Sequence, residues 1–563
     1  MAERNLIERL LAALRDHGAR AIFGIPGDYA LPMFRIIEDS KILPLYTLSH
    51  EPGVAYAADA AARIGRGVGV VAVTYGAGAL NLLNAVAAAY VEHSPLVVIS
   101  AAPPKHHGPA SLGVHHQVRS LGSQLRMFRE VTCSQAVLDD PERAPELIAR
   151  TLAACIEKSM PVYFEIPMDV AAQRSAPVGN WPAHKADRDA IAACAREIAN
   201  LIQDAKQPVL MVGVEVRRFG LEDEVAELIR LTNIPAVSSL MGRGVVSGHL
   251  EQVSLSYLGL AGSPEVASLV EESDCLILLG VILSDTNLGV PAHRLDLRRV
   301  VHAFGGEVRV AHHVYPHLPL RDLVFGLSKL GVKKKENPLP RTLAVRRNYH
   351  ADEQPVTPSD ISAAINELFL RHGPMPLACD IGDSLFVSLE IDYVDLVAQG
   401  YYASMGFAVP AALGIQVVSG KRPLVLVGDG AFQMTGWELG NCQRYNLDPI
   451  IIVLNNRSWE MLRVFDPEAR FNDLSDWHFA DLAPSLGGLG HRVRTRAELG
   501  AVLEAAWRER GKFQIIEVML DRGVTSDSLR RFVNGLNKRK KNQHSNSKPG
   551  SLNMIESPRL IAP

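Results

Sequence analysis

The chain alternates short apolar runs with longer amphipathic ones. "AIFGIPG" precedes "YALPMFRIIEDS", "LPLYTLSHE" precedes the alanine-rich "GVAYAADAAARI", and "GVVAVTYGAGA" precedes "LNLLNAVAAAYVEH", with "PLVVISA" next. Apolar runs of that length suit strands buried on both faces, and the longer segments between them suit helices. The pattern predicts βαβ units around a parallel sheet. A second set starts near "QPVLMVGVEV" and includes "DCLILLGVILSDTN". A third holds "MPLACDIGD", "SMGFAVPAALGIQVVS", "RPLVLVGDG", "TGWELGNCQRYN" and "PIIIVLNN", and repeats the alternation of the first. Between the second and third, "KKKENPLPR" and a polar run to "EQPVTPSD" predict an exposed linker.

The expected fold class is therefore α/β, with three doubly wound parallel-sheet domains over residues 1–180, 190–345 and 355–533. The remainder, 534–563, contains "NKRKKNQHSNSKPG" and is expected to be a disordered tail. A length of 563 residues agrees with roughly three or four domains. The net charge of −3 gives the whole protein no pull toward nucleic acid or membrane. No run of eighteen apolar residues predicts a membrane helix. Leu6, Ile7, Leu10, Leu11 and Leu14 follow helical spacing among charges, unlike a signal-peptide core. Six scattered cysteines without a C-x-x-C argue against a disulfide framework or a zinc site, so a cytoplasmic protein is expected. The glycosylation pattern at Asn456-Arg457-Ser458 is then a chance match.

Candidate chemistry lies at two strand ends. "PLVLVGDG" and "PIIIVLNN" each end in small polar residues, and ligands of open α/β sheets bind outside the carboxyl ends of strands. Two readings stand on the residues alone: ordinary turns, or a ligand edge. On the second, Asp429, the Asn456 amide oxygen and a carbonyl near Ser458 could supply one face of a Mg2+ octahedron. Gly428 and Gly430 would let backbone N–H groups approach a phosphate.

"GDGAF" followed by "NN", with 24 residues between Gly430 and Asn455, resembles the diphosphate–magnesium motif of thiamine diphosphate enzymes. The resemblance implies thiamine diphosphate and Mg2+ as cofactors. It implies Asp429, Asn456 and Ser458 as metal ligands, with Gly428, Gly430 and Ala431 at the diphosphate. A lone glutamate opening a helix usually complements the helix dipole. Yet "EPGVAYAADAAAR" resembles the segment in which such enzymes carry the glutamate that bonds the cofactor's aminopyrimidine ring. Glu51 would favour the imino tautomer, whose imine removes the thiazolium proton to give the ylid.

Over about residues 5–533 the chain resembles 2-oxo acid decarboxylases, and within them the phenylpyruvate and indole-3-pyruvate branch, through "GIPGDYALP", "VHHQ", "SMGF", "GWELGNC", "SWEMLR" and "SDTN". The activity implied is decarboxylation of an aromatic 2-oxo acid to its aldehyde and carbon dioxide. Asp28, His115 and His116 match residues that relay protons at the rim. Tandem histidines also occur at His106-His107 and His312-His313, and each pair alone reads as a surface loop. Position within the resemblance selects 115–116. Met405 matches the residue that bends the cofactor, Ala403 one whose carbonyl accepts from the cofactor amine, and Asp383 one beside the diphosphate, although a helix cap is an equal reading. Thr74, Met461, Leu462 and Phe465 are the expected substrate pocket.

Pyruvate decarboxylases carry a catalytic glutamate six residues after the second asparagine; here that position is Leu462. Glu460 lies two residues earlier, about 200° round a helix, and is expected to point elsewhere. Asp285, in "SDTN", becomes the candidate acid, against the plainer reading of a turn aspartate. An apolar wall in place of a charge suits a large apolar substrate. Carboligating enzymes of the acetolactate synthase kind, benzoylformate-type decarboxylases and a non-catalytic nucleotide-binding protein are the competing readings. The family also implies a homo-oligomer, dimer or tetramer, with Glu51 of one copy facing the metal domain of another.

Overall fold

Each of the three groups of apolar runs builds a six-stranded sheet. The computed structural model describes residues 4–105, 113–182, 185–246, 255–289, 299–331, 348–392 and 395–546. The first sheet holds β1 (Ile22–Ile25), β2 (Leu45–Thr47), β3 (Gly69–Val73), β4 (Leu96–Ala102), β5 (Ser134–Val137) and β6 (Val162–Pro167). Its order is β2-β1-β3-β4-β6-β5, with every neighbour parallel. The third holds β13 (Leu377–Cys379), β14 (Leu396–Ala398), β15 (Leu424–Gly428), β16 (Ile450–Asn455), β17 (Leu489–Val493) and β18 (Gln514–Met519). Its order, β14-β13-β15-β16-β18-β17, repeats the first strand for strand, again all parallel. Every residue of β3, β4 and β16 is buried, as the unbroken apolar runs require of strands covered on both faces.

The middle sheet departs from the expected parallel form. Strands β7 (Pro208–Val212), β8 (Ala236–Ser238), β9 (Cys275–Leu279) and β10 (Val300–Phe304) are parallel, but β11 (Glu307–Val310) and β12 (His313–Tyr315) add antiparallel to β10. The cause is local. Phe304 pairs with Glu307 across Gly305-Gly306, whose φ values of 64° and 80° form the two-residue turn that glycine permits.

Two helices join the first and third domains. Glu51–Gly65 has alanine at most core positions, proline in its first turn, and Arg66 at φ 55° ending it. It crosses Ala408–Ser419 at close range: a Cβ on Gly414 would lie 2.0 Å from the Ala57 carbonyl oxygen. Val54, Ala57, Ala61, Ala408, Ala411 and Ile415 belong to one buried cluster shared by both domains. Beside it the buried Arg63 bonds Asp59 and Glu92 at 2.8 Å and the Ala398 carbonyl at 2.9 Å. This packing fixes the strand ends of one sheet relative to those of the other.

The tail expectation is corrected in part. A helix spans Asp527–Asn546, and so carries thirteen residues past 533. Leu529, Phe532, Val533 and Leu536 recur at helical spacing and pack on the core of the third domain, which holds the helix start. Residues 547–563, the "KKKENPLPR" stretch and His106-His107 lie outside the described residues. The polar run to Asp360 departs from the exposed linker expected there: Thr357 caps the helix Pro358–His372 through a capping box with Asp360, and Pro358, Ser359 and Asp360 are buried in its first turn. No helix among the described residues is long and apolar enough to cross a membrane.

Candidate active site

In the first sheet β1 connects toward β2 on one side while β3 connects toward β4 on the other, so a crevice opens between the ends of β1 and β3. Asp28 follows β1 and starts a short turn, Asp28–Ala30. Thr74, Tyr75 and Gly76 follow β3. Asp28 bonds His115 Nε2, and His115 Nδ1 lies 3.0 Å from the Tyr29 hydroxyl. The Tyr29 ring stacks on His115 at 4.5 Å, and His115 meets His116 edge-on at 4.8 Å. His116 Nδ1 lies 3.1 Å from the Tyr75 carbonyl oxygen. A carbonyl only accepts, so Nδ1 carries the proton and a neutral ring keeps its lone pair on Nε2. Burial would raise the Asp28 carboxyl, but the His115 bond, the Tyr29 backbone and the two imidazole charges together hold it below its usual range. Asp28, His115 and His116 are all exposed, and their ligand-type atoms lie within 4.8 Å of one another. This is a chain of titratable groups open to solvent, suited to proton delivery.

Glu51 opens the helix after β2 and is half-buried. Its Oε2 accepts from Asn81 Nδ2 at 2.9 Å. Gly78 lies between it and the β3 turn: a Cβ there would come within 3.5 Å of Glu51 Oε1 and 3.0 Å of Thr74. Thr74 is buried, and its hydroxyl has no hydrogen-bond partner among the described residues. The structure thus gathers Asp28, Glu51, Thr74, His115 and His116 along one sheet edge.

The other residues gather on the third sheet. β15 ends at Gly428, and Asp429 starts the next helix with no intervening turn. Asp429 Oδ1 accepts from Gly430 N at 2.8 Å, and Oδ2 accepts from Arg457 N at 2.6 Å and Ser458 N at 3.3 Å. Asn456 Oδ1 accepts from the same Ser458 N at 3.0 Å. Asp429, Asn456 and Ser458 are buried and laced together through backbone, with Ala431 buried one residue beyond Gly430. Burial pushes the Asp429 carboxyl up to about 6 against four backbone donors.

Met405 packs against the cluster shared by the two domains. Ala403, two residues before, holds φ at 59°, a conformation alanine keeps only where its surroundings fix it. Here Ser404 N donates to Gln399 at 2.7 Å, and Asp380 accepts from Gly406 N at 3.0 Å and Ala408 N at 2.9 Å. Asp383 is buried and accepts from Ser526 N at 2.9 Å and from its hydroxyl, at the head of the last helix. Burial pushes it up to about 6, with Glu390 and Glu460 adding to the rise.

The segment after Ser458 turns its side chains two ways. Glu460 is buried, and its Oε1 accepts from Gly523 N at 2.8 Å. Met461 packs on the core of the third domain. Leu462 and Phe465 are 50% and 51% exposed. Of the expected pocket, Leu462 and Phe465 share the open side, while Met461 faces inward and Thr74 sits on the other sheet. Asp285 is exposed at the start of the short helix Asp285–Leu288 in the middle domain, where its oxygen accepts from Thr286 N at 2.7 Å. Among the described residues, none of its hydrogen bonds reaches either sheet edge.

Sequence reading missed three buried groups because their partners are remote in sequence: Gln124, Asp380 and Glu438. Glu438 lies on the seam between the domains, accepting from Ser49 N at 2.8 Å. A Cβ on Gly53 would come within 2.4 Å of its Oε1, which has no hydrogen-bond partner among the described residues. Burial pushes this carboxyl up to about 7.

Family models bear directly on these two edges. Residues 4–125 match the thiamine pyrophosphate enzyme N-terminal TPP binding domain, 195–321 the central domain and 385–518 the C-terminal TPP binding domain. The chain is 53% identical to an indole-3-pyruvate decarboxylase of Azospirillum brasilense, covering 94% of this chain and 98% of that one. The chain belongs to the thiamine diphosphate-dependent 2-oxo acid decarboxylases. More distant relatives are an alpha-keto-acid decarboxylase of Mycobacterium tuberculosis, 29% identical over 91% of this chain and 94% of that one, and pyruvate decarboxylase isozyme 2 of Saccharomyces cerevisiae, 27% identical over 92% and 96%.

The decarboxylase's own residues fit thiamine diphosphate and Mg2+. Asp429 is a buried carboxylate whose hydrogen-bond partners among the described residues are backbone N–H groups, so a divalent cation would supply the missing countercharge. Asn456 and the Ser458 carbonyl add the hard oxygen donors Mg2+ takes. A Cβ on Gly428 would meet nothing within 4 Å, which leaves room beside the metal loop.

Proposed function

We propose that this enzyme decarboxylates an aromatic 2-oxo acid, of the phenylpyruvate or indole-3-pyruvate type, to the aldehyde and carbon dioxide. The observation that carries the reading is the division after Ser458: the acid, Glu460, is turned into the core, and the apolar Leu462 and Phe465 face outward beside the metal loop. An aromatic side chain is stabilised against such a wall, whereas pyruvate's methyl gains little there. The relative named for indole-3-pyruvate supports the same class.

In this reading Asp429, Asn456 and the Ser458 carbonyl hold Mg2+. Gly428, Gly430 and Ala431 border the diphosphate, with Asp383 beside it. Met405 would support the cofactor, and the Ala403 carbonyl would accept from its amine. When bound, thiamine diphosphate supplies a carbon nucleophile and an electron sink for the departing carboxylate. Glu51 holds a proton at the aminopyrimidine ring. His115 and His116, in register through Asp28 and Tyr29, deliver the proton that the product carbon requires. Thr74 contributes a hydroxyl to the substrate side, and Met461 backs Leu462 from the core. By the resemblance of "SDTN", Asp285 would supply the acid absent at Leu462. The enzyme works in the cytoplasm as a homo-oligomer, dimer or tetramer, with Glu51 of one copy serving the metal domain of another.

Aldehyde release measured with phenylpyruvate and with pyruvate, with and without thiamine diphosphate and Mg2+, tests the substrate claim. Phenylpyruvate is expected to give the larger kcat/KM by at least tenfold. Equal or better use of pyruvate would defeat it. Asp285→Ala is expected to slow turnover at least tenfold while leaving cofactor affinity unchanged; unaltered turnover would return Asp285 to a turn residue.

A further inference from the structure

We propose that Gln124 is a positioning residue for His116, acting through the backbone of Gly76. The inference rests on the reading that His115 and His116 handle protons.

Gln124 is the second residue of the helix Ser123–Phe128 and only 1% exposed. Its Oε1 accepts from Gly76 N at 2.6 Å. A backbone N–H can only donate, so this bond fixes which way the amide faces. Nε2 then meets three groups able to accept: Ser100 Oγ at 3.0 Å, the Tyr163 hydroxyl, and Glu165 Oε2 at 3.4 Å. Tyr163 in turn donates to Glu165 Oε2 at 2.8 Å. Ser100, Gln124, Tyr163 and Glu165 are all buried, and the three strand residues stand on β4 and β6, in the middle of the sheet. The amide is thereby tied to two interior strands of the sheet.

The other end of the tie is the turn after β3. Gly76 has φ 65° and ψ −101°, a conformation that other residues rarely hold. It presses on His116: a Cβ there would lie 2.3 Å from the His116 carbonyl oxygen and 2.5 Å from its Cβ. His116 Nδ1 reaches back to the carbonyl of Tyr75, the neighbour of Gly76. His116 therefore has both its backbone and its ring set by Tyr75 and Gly76, while Gln124 holds the Gly76 N–H. Release of that bond strands a buried donor and lets the turn shift, and the imidazole shifts with it.

A double-mutant cycle separates this from a merely structural role. Gln124→Leu is expected to lower kcat at least tenfold with thiamine diphosphate affinity, by calorimetry, within twofold of wild type. In a His116→Ala background the same change is expected to lower kcat less than twofold. An equal factor in both backgrounds, or wild-type kcat for Gln124→Leu, would overturn the proposal. Wild-type kcat for His116→Ala alone would instead sink the histidine reading. Should Gln124→Leu not fold, Gln124→Asn enters the same cycle, since its amide is one methylene short of Gly76 N.

Discussion

The first and third sheets have one strand order and opposite chemistry at their carboxyl ends. After the first strand, one places Asp28 and the other Asp380 and Asp383. After the second come Glu51 in one, Ala403 and Met405 in the other. After the third come Thr74 and Gly76 against Asp429 and Gly430. After the fourth come the histidines against Asn456 and Ser458. The difference lies in exposure. Asp28, His115 and His116 are open to solvent, while Asp383, Asp429, Asn456 and Ser458 are buried. Exposed groups exchange protons quickly and keep water nearby. Buried oxygens wait for a cation to balance them. One topology, used twice, thus places exposed titratable groups at one edge and buried oxygens at the other, and the helix pair Glu51–Gly65 and Ala408–Ser419 packs the two domains together.

Variants can break that division. The largest effect is expected from Glu51→Gln, which removes a titratable proton while keeping shape. Turnover should fall about a thousandfold, with thiamine diphosphate affinity by calorimetry changed only a few fold. Loss of binding in step with activity would show that Glu51 acts by holding the cofactor alone.

Glu438, on the seam between the edges, gives a prediction in pH. Its folded value of about 7 lies above the ordinary 4.5, so the native state binds this proton more tightly than the unfolded chain. Ionisation therefore costs stability: the group's contribution falls as pH rises from about 4.5 to about 7, and the cost persists above that. The full cost is about 3 kcal/mol. Glu438→Gln should be closest to wild type in stability near pH 5 and gain on it up to pH 8, as followed by denaturant unfolding. A difference independent of pH would contradict the buried carboxyl account.

A smaller effect concerns Leu462. Because the side chain is half exposed, Leu462→Glu should leave the unfolding midpoint within a few degrees. The ratio of kcat/KM for phenylpyruvate over pyruvate should fall about tenfold, the size of effect expected for one altered wall of a pocket. An unchanged ratio would remove Leu462 from the substrate side.

Both edges were largely legible in the chain, because their signals are local. "GDG" and "NN" end apolar runs, and Glu51 opens an alanine-rich helix. The antiparallel border of the middle sheet was also local, in Gly305-Gly306, but periodicity alone does not separate a hairpin from a crossover. The stripe Leu529, Phe532, Val533 and Leu536 carries a helix into a stretch whose composition argued for disorder. What stayed hidden is tertiary. Gln124 meets Gly76, Asp380 meets Gly406 and Glu438 meets Ser49 across intervening strands and helices, and no spacing rule reports such meetings. Glu460 shows the limit of helical-angle reasoning. The angle separated it from Leu462, but its bond to Gly523 is a contact across 63 residues.

The division of labour is tested most directly by titrating thiamine diphosphate, in saturating Mg2+, into Asp429→Ala and His116→Ala. The account predicts no measurable binding to Asp429→Ala and wild-type affinity for His116→Ala. Retained binding in the first, or lost binding in the second, would contradict it.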